Sequence, residues 1–252
     1  MEPIGLDDMK AVRLMNRVDQ KFMASADLLE PLLSRIADGY YVQHIAGDPI
    51  APYRTLYFDT ADLAMYTMHH NKKLNRQKLR VRTYRSTNTT FFEIKNKDNK
   101  KKTRKVRIPI DVSLFDHCLE VPEVRDFVEQ NTSFSIPSSE GKNGGRGELH
   151  PCLENFFERI TLVDRGMTER VTIDRGIRFH NRATALDADI SKLLVIEVKH
   201  EVGAPMSAIE KALHELHVLP RRMSKYCIGT ALTDPHAKYN CFKPKLLFID
   251  RL

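Results

Sequence analysis

Several segments of this chain alternate apolar residues with charged ones, and most of the charges are basic. Residues 78–82 read Lys-Leu-Arg-Val-Arg, and residues 105–110 read Lys-Val-Arg-Ile-Pro-Ile. Residues 17–22 and 195–199 follow the same rule. Successive side chains of a strand point to opposite faces of the sheet. Each segment therefore predicts a strand with one charged face and one apolar face.

Helices are expected between these strands. Ser25 is a predicted N-cap, and the apolar spacing that follows it predicts a helix that ends before Gly39. Residues 111–130 are predicted to form a helix that Pro122 breaks. The remaining predicted helices cover residues 61–71, 205–218 and 223–231.

Polar turns between consecutive strands favour antiparallel pairing. We therefore expect an α+β fold in which about eight antiparallel strands close into a barrel with flanking helices. The prediction is a single domain over residues 1–252. Residues 131–148, which are poor in apolar side chains, are expected to form a mobile loop.

The charge balance indicates an anionic partner. Lys and Arg total 40 against 33 Asp and Glu, a net charge of +7. On an open sheet the charged faces would lie in water. For any single strand, a solvated face is as consistent with the sequence as a buried one. Their repetition favours a barrel whose interior is a cationic tunnel for a chain of phosphates.

Arg80 and Arg82 lie two residues apart and would project side by side. Two guanidinium groups repel each other unless an anion lies between them, and their fork geometry suits phosphate oxygens. Lys95 and the pair Lys105 and Arg107 fall on the next two strands. Like charges across strands are destabilising unless they are neutralised, which makes a ligand more plausible.

Arg159 and Arg170 extend the pattern to two later strands, and Glu197 with Lys199 extends it to a third. A carboxylate among cations either neutralises them or binds a hard divalent ion that bridges to substrate phosphates. We favour the metal role for Glu197.

Several function classes are disfavoured. No apolar run is long enough for a transmembrane helix, and the N-terminus does not resemble a secretory signal. The four cysteines are far apart in the sequence and form no Cys-x-x-Cys pair, so we expect reduced thiols in a cytoplasmic protein. No catalytic triad or phosphate-binding glycine loop is indicated. Nucleic acid is disfavoured as a partner, because we expect no aromatic residue to be interleaved with the basic strands as a stacking platform.

Nine motifs together resemble the VTC domain, the polyphosphate polymerase branch of the CYTH-like triphosphate tunnel metalloenzymes. They occur in the family's order: residues 17–22, 53–60, 78–82, 93–95, 105–107, 159–161, 169–174, 195–199 and 224–226. Related hydrolases begin with Glu-x-Glu-x-Lys, whereas residues 17–21 here read Arg-x-Asp-x-Lys. This departure favours the VTC branch and argues against a second strong metal site.

The resemblance implies an eight-stranded antiparallel tunnel and a Mn²⁺ or Mg²⁺ ion held by Glu197. It assigns phosphate binding to Lys21, Arg80, Arg82, Lys95, Lys105, Arg159, Arg170 and Lys225. We expect Lys78, Arg107 and Lys199 to bind substrate as well.

The function that this resemblance implies is polyphosphate synthesis, in which the γ-phosphoryl group of ATP passes to a growing polyphosphate chain. Inorganic phosphate and pyrophosphate are further expected ligands. A tripolyphosphatase or other triphosphate hydrolase, and a polyphosphate-binding module without turnover, remain alternatives. The sequence indicates neither product length nor oligomeric state.

Overall fold

The structure is a computed structural model that describes residues 1–11, 17–100, 102–136 and 147–252. Residues 137–146 of the predicted mobile loop therefore lie outside the described residues. The strands are β1 (Glu2–Ile4), β2 (Arg17–Ser25), β3 (Tyr40–Gln43), β4 (Ile50–Thr60), β5 (Arg76–Tyr84), β6 (Thr89–Lys97), β7 (Thr103–Ile110), β8 (Leu149–Asp164), β9 (Glu169–Asn181), β10 (Asp187–Asp189) and β11 (Leu193–Glu201). The α-helices are α1 (Leu29–Ile36), α2 (Ala64–His70), α3 (Pro122–Asn131), α4 (Ala208–Glu215), α5 (Lys225–Thr233) and α6 (Lys243–Asp250).

Eight antiparallel strands follow one another across the sheet in the order β2-β11-β9-β8-β4-β5-β6-β7. The short strands β3 and β10 pair beside this path with β8 and β9, and β1 pairs with β3. The predicted α+β fold with eight antiparallel strands is confirmed. Within the described parts of the chain no ladder joins the end strands β2 and β7, so a closed hydrogen-bonded ring is not seen.

Helices cover the apolar face of the sheet. Leu32 of α1 and Leu213 of α4 pack with Ile196 of β11 in one buried cluster. Val124 of α3 packs with Val81 of β5 in another. Because side chains alternate along a strand, the charged face of these strands points to the opposite side, into the concavity of the sheet.

Charges from distant strands meet on this concave face. Lys95 of β6 has its pKa lowered first by burial and then by Lys21 of β2, while Glu197 of β11 opposes the shift. Lys95 and Lys21 lie near opposite ends of the strand order, so this interaction requires the sheet to curl round. The charged face is therefore an interior, as the tunnel prediction required.

Helix α5 packs against the apolar end of the same interior. The rings of Tyr226 and Tyr57 lie 5.2 Å apart, and the Tyr226 hydroxyl donates to the buried Asp59 carboxylate. A Cβ added at Gly229 would come within 2.5 Å of the Phe179 ring. This close packing positions Lys225, the first residue of α5, beside the charged interior.

The region 111–130 differs from the predicted broken helix. It contains two short 3-10 turns, Val112–Leu114 and Cys118–Glu120, and α3 begins at Pro122. Proline suits the first turn of a helix because its missing N–H would have no partner there. Pro122 therefore starts a helix instead of breaking one.

Candidate functional site

The strand register places the predicted strand residues on one inward-facing surface. Lys78 is opposite Lys95, and Lys95 is opposite Lys105. On the other side of the interior, Lys199 is opposite Arg170. The same surface carries Lys21, Arg80, Arg82, Arg107, Arg159 and Glu197.

Arg82 is the most deeply buried of these cations, with 7 % of its surface exposed. Its Nε donates to Thr55 Oγ1 at 3.1 Å, and its guanidinium lies 5.5 Å and 5.7 Å from the ring centres of Tyr53 and Phe157. Burial lowers the pKa of Arg82, and the neighbouring Arg80 lowers it further. Among the described residues, no carboxylate forms an ion pair with Arg82.

Lys78 and Lys95 form a like-charged pair across the strands on the same face, with Arg80 between this pair and Arg82. The Lys78 ammonium donates to Ser224 Oγ at 2.7 Å. Burial is the main cause that lowers the pKa of Lys78 to about 8, and Lys95 and Lys21 contribute to the shift. Water reaches the Lys95 side chain, but the surrounding protein still lowers its pKa by desolvation. Neither lysine forms an ion pair with a carboxylate within the described part of the chain, although Glu197 and Asp19 act on Lys95 from farther away.

Three carboxylates hold six of the other cations, and each carboxylate bridges two of them. Glu93 accepts from Arg80 at 2.6 Å and also pairs with Lys105. Glu197 lies 3.2 Å from the ammonium of Lys21. It lies 3.1 Å from that of Lys199.

Asp174 forms the third bridge. It accepts from Arg159 at 2.6 Å and 2.9 Å and pairs with Lys225 at the start of α5. Burial is the main cause that lowers the pKa of Lys225 to about 8, although Asp174 opposes the shift. The structure thus brings a residue from a distant helix into the predicted strand site.

All three carboxylates stay ionised because of these cations. Burial alone would raise each pKa, but the bridged cations outweigh it. They hold the pKa of Glu93 and of Glu197 at about 2, and they hold that of Asp174 well below its usual range. Arg159 in turn has a raised pKa, because Asp174 outweighs the effect of burial.

The remaining predicted residues lie at the margins of this cluster. The exposed Arg107 guanidinium is 4.1 Å from the centre of the Phe91 ring. Arg170 is half-buried on β9 and contributes to lowering the pKa of Lys199. The solvent exposure of the cations therefore increases from the centre of the site to its edge.

Glu197 on its own is an incomplete metal site. Its oxygens face two ammonium groups, and the described residues contain no group of three or more His, Cys, Asp or Glu side chains that could hold a metal ion. Mg²⁺ is often held by one or two carboxylates together with substrate phosphates. The donor set fits a divalent ion only when substrate oxygens supply the other ligands.

The alternation rule found the cations but missed important neighbours. Glu93 is 1 % exposed, and the same rule placed it on the inward face without revealing that it bridges two strands. The expectation that no aromatic residue is interleaved with the basic strands was wrong. Tyr53, Phe91 and Phe157 lie directly against arginines of the interior, and their inward positions follow the same period of two.

The VTC domain family model matches residues 16–233 of this chain. No curated protein sequence matches it. No described helix has both the length and the apolar character needed to cross a membrane.

Two solved structures show the fold. The structure of a candidate adenylyl cyclase from Hippeastrum, a protein with a dominant triphosphatase activity, matches with a TM-score of 0.51 and 14 % identity. The match covers 87 % of this chain and 97 % of that one. A candidate adenylate cyclase from Bacillus halodurans matches with a TM-score of 0.50 and 14 % identity, over 83 % and 94 % of the two chains. The fold is the triphosphate tunnel fold, and the match over residues 16–233 shows that the chain belongs to the VTC domain family.

Proposed function

We propose that this chain is a polyphosphate polymerase that transfers the γ-phosphoryl group of ATP to a growing polyphosphate chain inside its basic interior. The observation that carries the proposal is that Arg82, Lys78 and Lys95 share the inner face and form no ion pair with a described carboxylate. Arg82 is buried and Lys78 half-buried, and cations in such places are costly without a counter-ion, so a polyanion would offset that cost. Membership of the VTC domain family supports the same substrate class.

Phosphoryl transfer depends mainly on positioning and on stabilising charge that spreads over the transferred group. Arginine forks suit that role, since they bind phosphate oxygens with two parallel hydrogen bonds. We assign it to Arg80, Arg82, Arg159, Arg170 and Lys21. Binding of the rest of the polyphosphate is assigned to Lys78, Lys95, Lys105, Arg107, Lys199 and Lys225.

The bridging carboxylates hold the interior cations in place. Glu93, Asp174 and Glu197 hold pairs of cations at fixed places, and phosphate oxygens would compete for the same donors. Donors that are already in place need little reorganisation when charge develops on the reacting group. An acceptor phosphate is already an anion, so the transfer needs no strong general base.

A divalent ion bound between Glu197 and substrate phosphates would neutralise charge on those phosphates. Manganese and magnesium both prefer oxygen ligands, which Glu197 and the substrate phosphates would supply. We expect Glu197→Gln to lower turnover at least tenfold and to weaken the dependence on Mn²⁺ concentration. Unchanged turnover and metal dependence in Glu197→Gln would show that Glu197 serves only to hold its lysines.

Hydrolysis of triphosphates is the second candidate function. The structurally similar Hippeastrum protein has a dominant triphosphatase activity. The same phosphate-binding residues would also hold a triphosphate while water accepts the phosphoryl group. The two reactions differ in whether the interior excludes water and admits a long chain.

The test is to incubate the protein with ATP and Mn²⁺, with and without a chelator, and to separate the products by length on a gel. The proposal predicts ADP together with long polyphosphate, both lost with the chelator. Orthophosphate as the sole phosphate product supports the hydrolase. Binding without any turnover supports a binding module, and RNA binding without ATP turnover supports a nucleic-acid function.

We also propose that the protein works in a reducing compartment such as the cytoplasm. All four cysteines are free thiols, and Cys118, Cys152 and Cys227 are buried. Disulfides are rare where thiols are kept reduced. Mass measurement of alkylated protein from cell extracts would show four modified cysteines after denaturation.

A further inference from the structure

Four aromatic rings form a continuous row on the inner face of the sheet. Successive ring centres lie 4.9 Å, 5.0 Å and 6.1 Å apart in the order Phe157, Tyr53, Tyr84 and Phe91. The strand register accounts for the row, because Tyr53 is opposite Phe157 on one side and Tyr84 on the other. Phe91 is opposite Arg82, so the row shares its face with the cations of the interior.

Solvent exposure increases along this row. Phe157 and Tyr53 are buried, with 3 % and 7 % of their surfaces exposed, whereas Tyr84 and Phe91 are half-buried. Tyr84 is the last residue of β5, and Phe91 lies near the start of β6, so both rings are at one end of the interior. The inner two rings are therefore part of the core, and the outer two keep aromatic surface open to a ligand.

Arginines lie against the row. The Arg159 guanidinium carbon is 5.1 Å from the centre of the Tyr53 ring, and Arg107 lies over the Phe91 ring. Arg82 precedes Tyr84 by two residues on β5, so the two side chains are neighbours on one face. A ligand that uses both features carries a planar aromatic group joined to several phosphates.

The spacing along β5 suits a nucleoside triphosphate. Side chains two residues apart on a strand are separated by about 7 Å. Tyr84, Arg82 and Arg80 follow one another at this interval, with the aromatic ring outermost. A base stacked on Tyr84 leaves the ribose to span the first interval and places the phosphates beside the two arginines. Inorganic polyphosphate has no group that would gain from contact with the rings.

We propose that Tyr84 and Phe91, named here the base platform, stack against the base of the nucleoside triphosphate donor. The inference rests on the proposed function for the identity of this donor, ATP. It adds the end of the interior at which the donor binds and two residues that contact its base. Stacking on aromatic side chains requires only the flat face that every base has. The base platform therefore contributes affinity for ATP and none for tripolyphosphate.

The test compares Tyr84→Leu and Phe91→Leu with the parent chain. Leucine keeps an apolar side chain but removes the ring, whereas Tyr84→Phe keeps the ring and removes only the hydroxyl group. The matched control is Tyr41→Leu, because Tyr41 lies on β3 beside the main strand path and also has an arginine, Arg165, 4.8 Å from its ring centre.

Dissociation constants are measured at one ionic strength for tripolyphosphate and for the β,γ-imido analogue of ATP, which cannot transfer its γ-phosphoryl group. Thermal melting of every variant confirms that it is folded.

The base platform predicts that each leucine variant at the platform binds the ATP analogue about tenfold more weakly, as expected when an aromatic partner of one base is removed. Affinity for tripolyphosphate stays within about twofold of the parent. Tyr84→Phe keeps the parent affinity for both ligands, and so does the control Tyr41→Leu.

Equal weakening for both ligands, or no weakening for the ATP analogue, would overturn the base platform. Selective loss of affinity for the ATP analogue, in a protein that makes no polyphosphate from ATP, would support the base platform while refuting the polymerase. Failure of the parent chain to bind the ATP analogue would refute both.

Discussion

Two charged clusters lie on opposite faces of the same sheet, and they differ in charge balance. On the outer face, Arg54 and Arg182 share Glu154 and Asp116, so two arginines meet two carboxylates. The Arg54 guanidinium carbon lies 4.1 Å from the centre of the Phe115 ring. On the inner face, cations outnumber carboxylates, and Arg82 has only a hydroxyl and two rings as described partners.

This difference separates charges that stabilise the fold from charges that a bound anion would neutralise. A balanced network satisfies its own members and needs nothing more. An unbalanced buried cation lowers stability unless a bound anion compensates it. The predictions below therefore contrast Arg82 with Arg54.

The largest expected effect concerns turnover. Arg82→Ala should lower the rate of ATP turnover by about 100-fold or more, the range seen when one donor to a developing charge is removed. Arg54→Ala should leave turnover per folded molecule within about twofold. Steady-state assays at saturating Mn²⁺ measure both, and equal losses in the two variants would remove the distinction between the clusters.

The next effect is stabilisation by ligand. Tripolyphosphate at about 100 times its dissociation constant should stabilise the parent by about 2.7 kcal/mol, and Arg54→Ala by the same increment. At that concentration Arg82→Ala should gain much less, because its affinity is lower. Thermal melting with and without tripolyphosphate measures the increments. An undiminished increment in Arg82→Ala would place the polyanion elsewhere.

The pH dependence of binding should follow the lowered pKa values of Lys78 and Lys225, both about 8. A bound polyanion favours the charged ammonium and so raises these pKa values. Affinity is therefore full below about pH 8 and falls as pH rises above it, by up to about tenfold per pH unit for each lysine.

Titration with tripolyphosphate from pH 7 to pH 10 at constant ionic strength measures this loss. Lys225→Arg and Lys78→Arg should flatten the curve, because arginine stays charged throughout. An affinity that does not change between pH 7 and pH 9.5 in the parent chain would contradict the assigned role of the two lysines.

The smallest expected effect is on the stability of the ligand-free protein, where the two clusters should respond with opposite sign. Arg82→Met removes an uncompensated buried charge and should raise the free energy of unfolding by about 1 kcal/mol. Arg54→Ala breaks contacts to the nearly buried Glu154, and should lower it by about 1–2 kcal/mol because Arg54 is itself 31 % exposed. Denaturant unfolding measures both, and destabilisation by Arg82→Met would show that Arg82 is structural.

The sequence predicted the fold best where alternation was strict. The alternating segments 78–82 and 105–110 lie within β5 and β7. The first half of β8 was missed, because Pro151 and the buried polar residues near it obscure the period of two. Burial on both faces of that strand removes the contrast on which the prediction depends.

For the site, alternation gave the face of each cation but not its partners. Which side chains meet depends on register between strands far apart in the sequence, as for Arg159 and Asp174. The position of Lys225 came only from the family resemblance, since nothing local links a helix near the end of the chain to β9. The carboxylate bridges are therefore a result of the three-dimensional structure.

The most direct test of the cationic interior is a crystal structure with tripolyphosphate at neutral pH. The account predicts phosphate oxygens within about 3 Å of the Arg82 guanidinium and of the Lys95 ammonium. Phosphates bound only outside the interior, with Arg82 still contacting only Thr55 and the two rings, would contradict it.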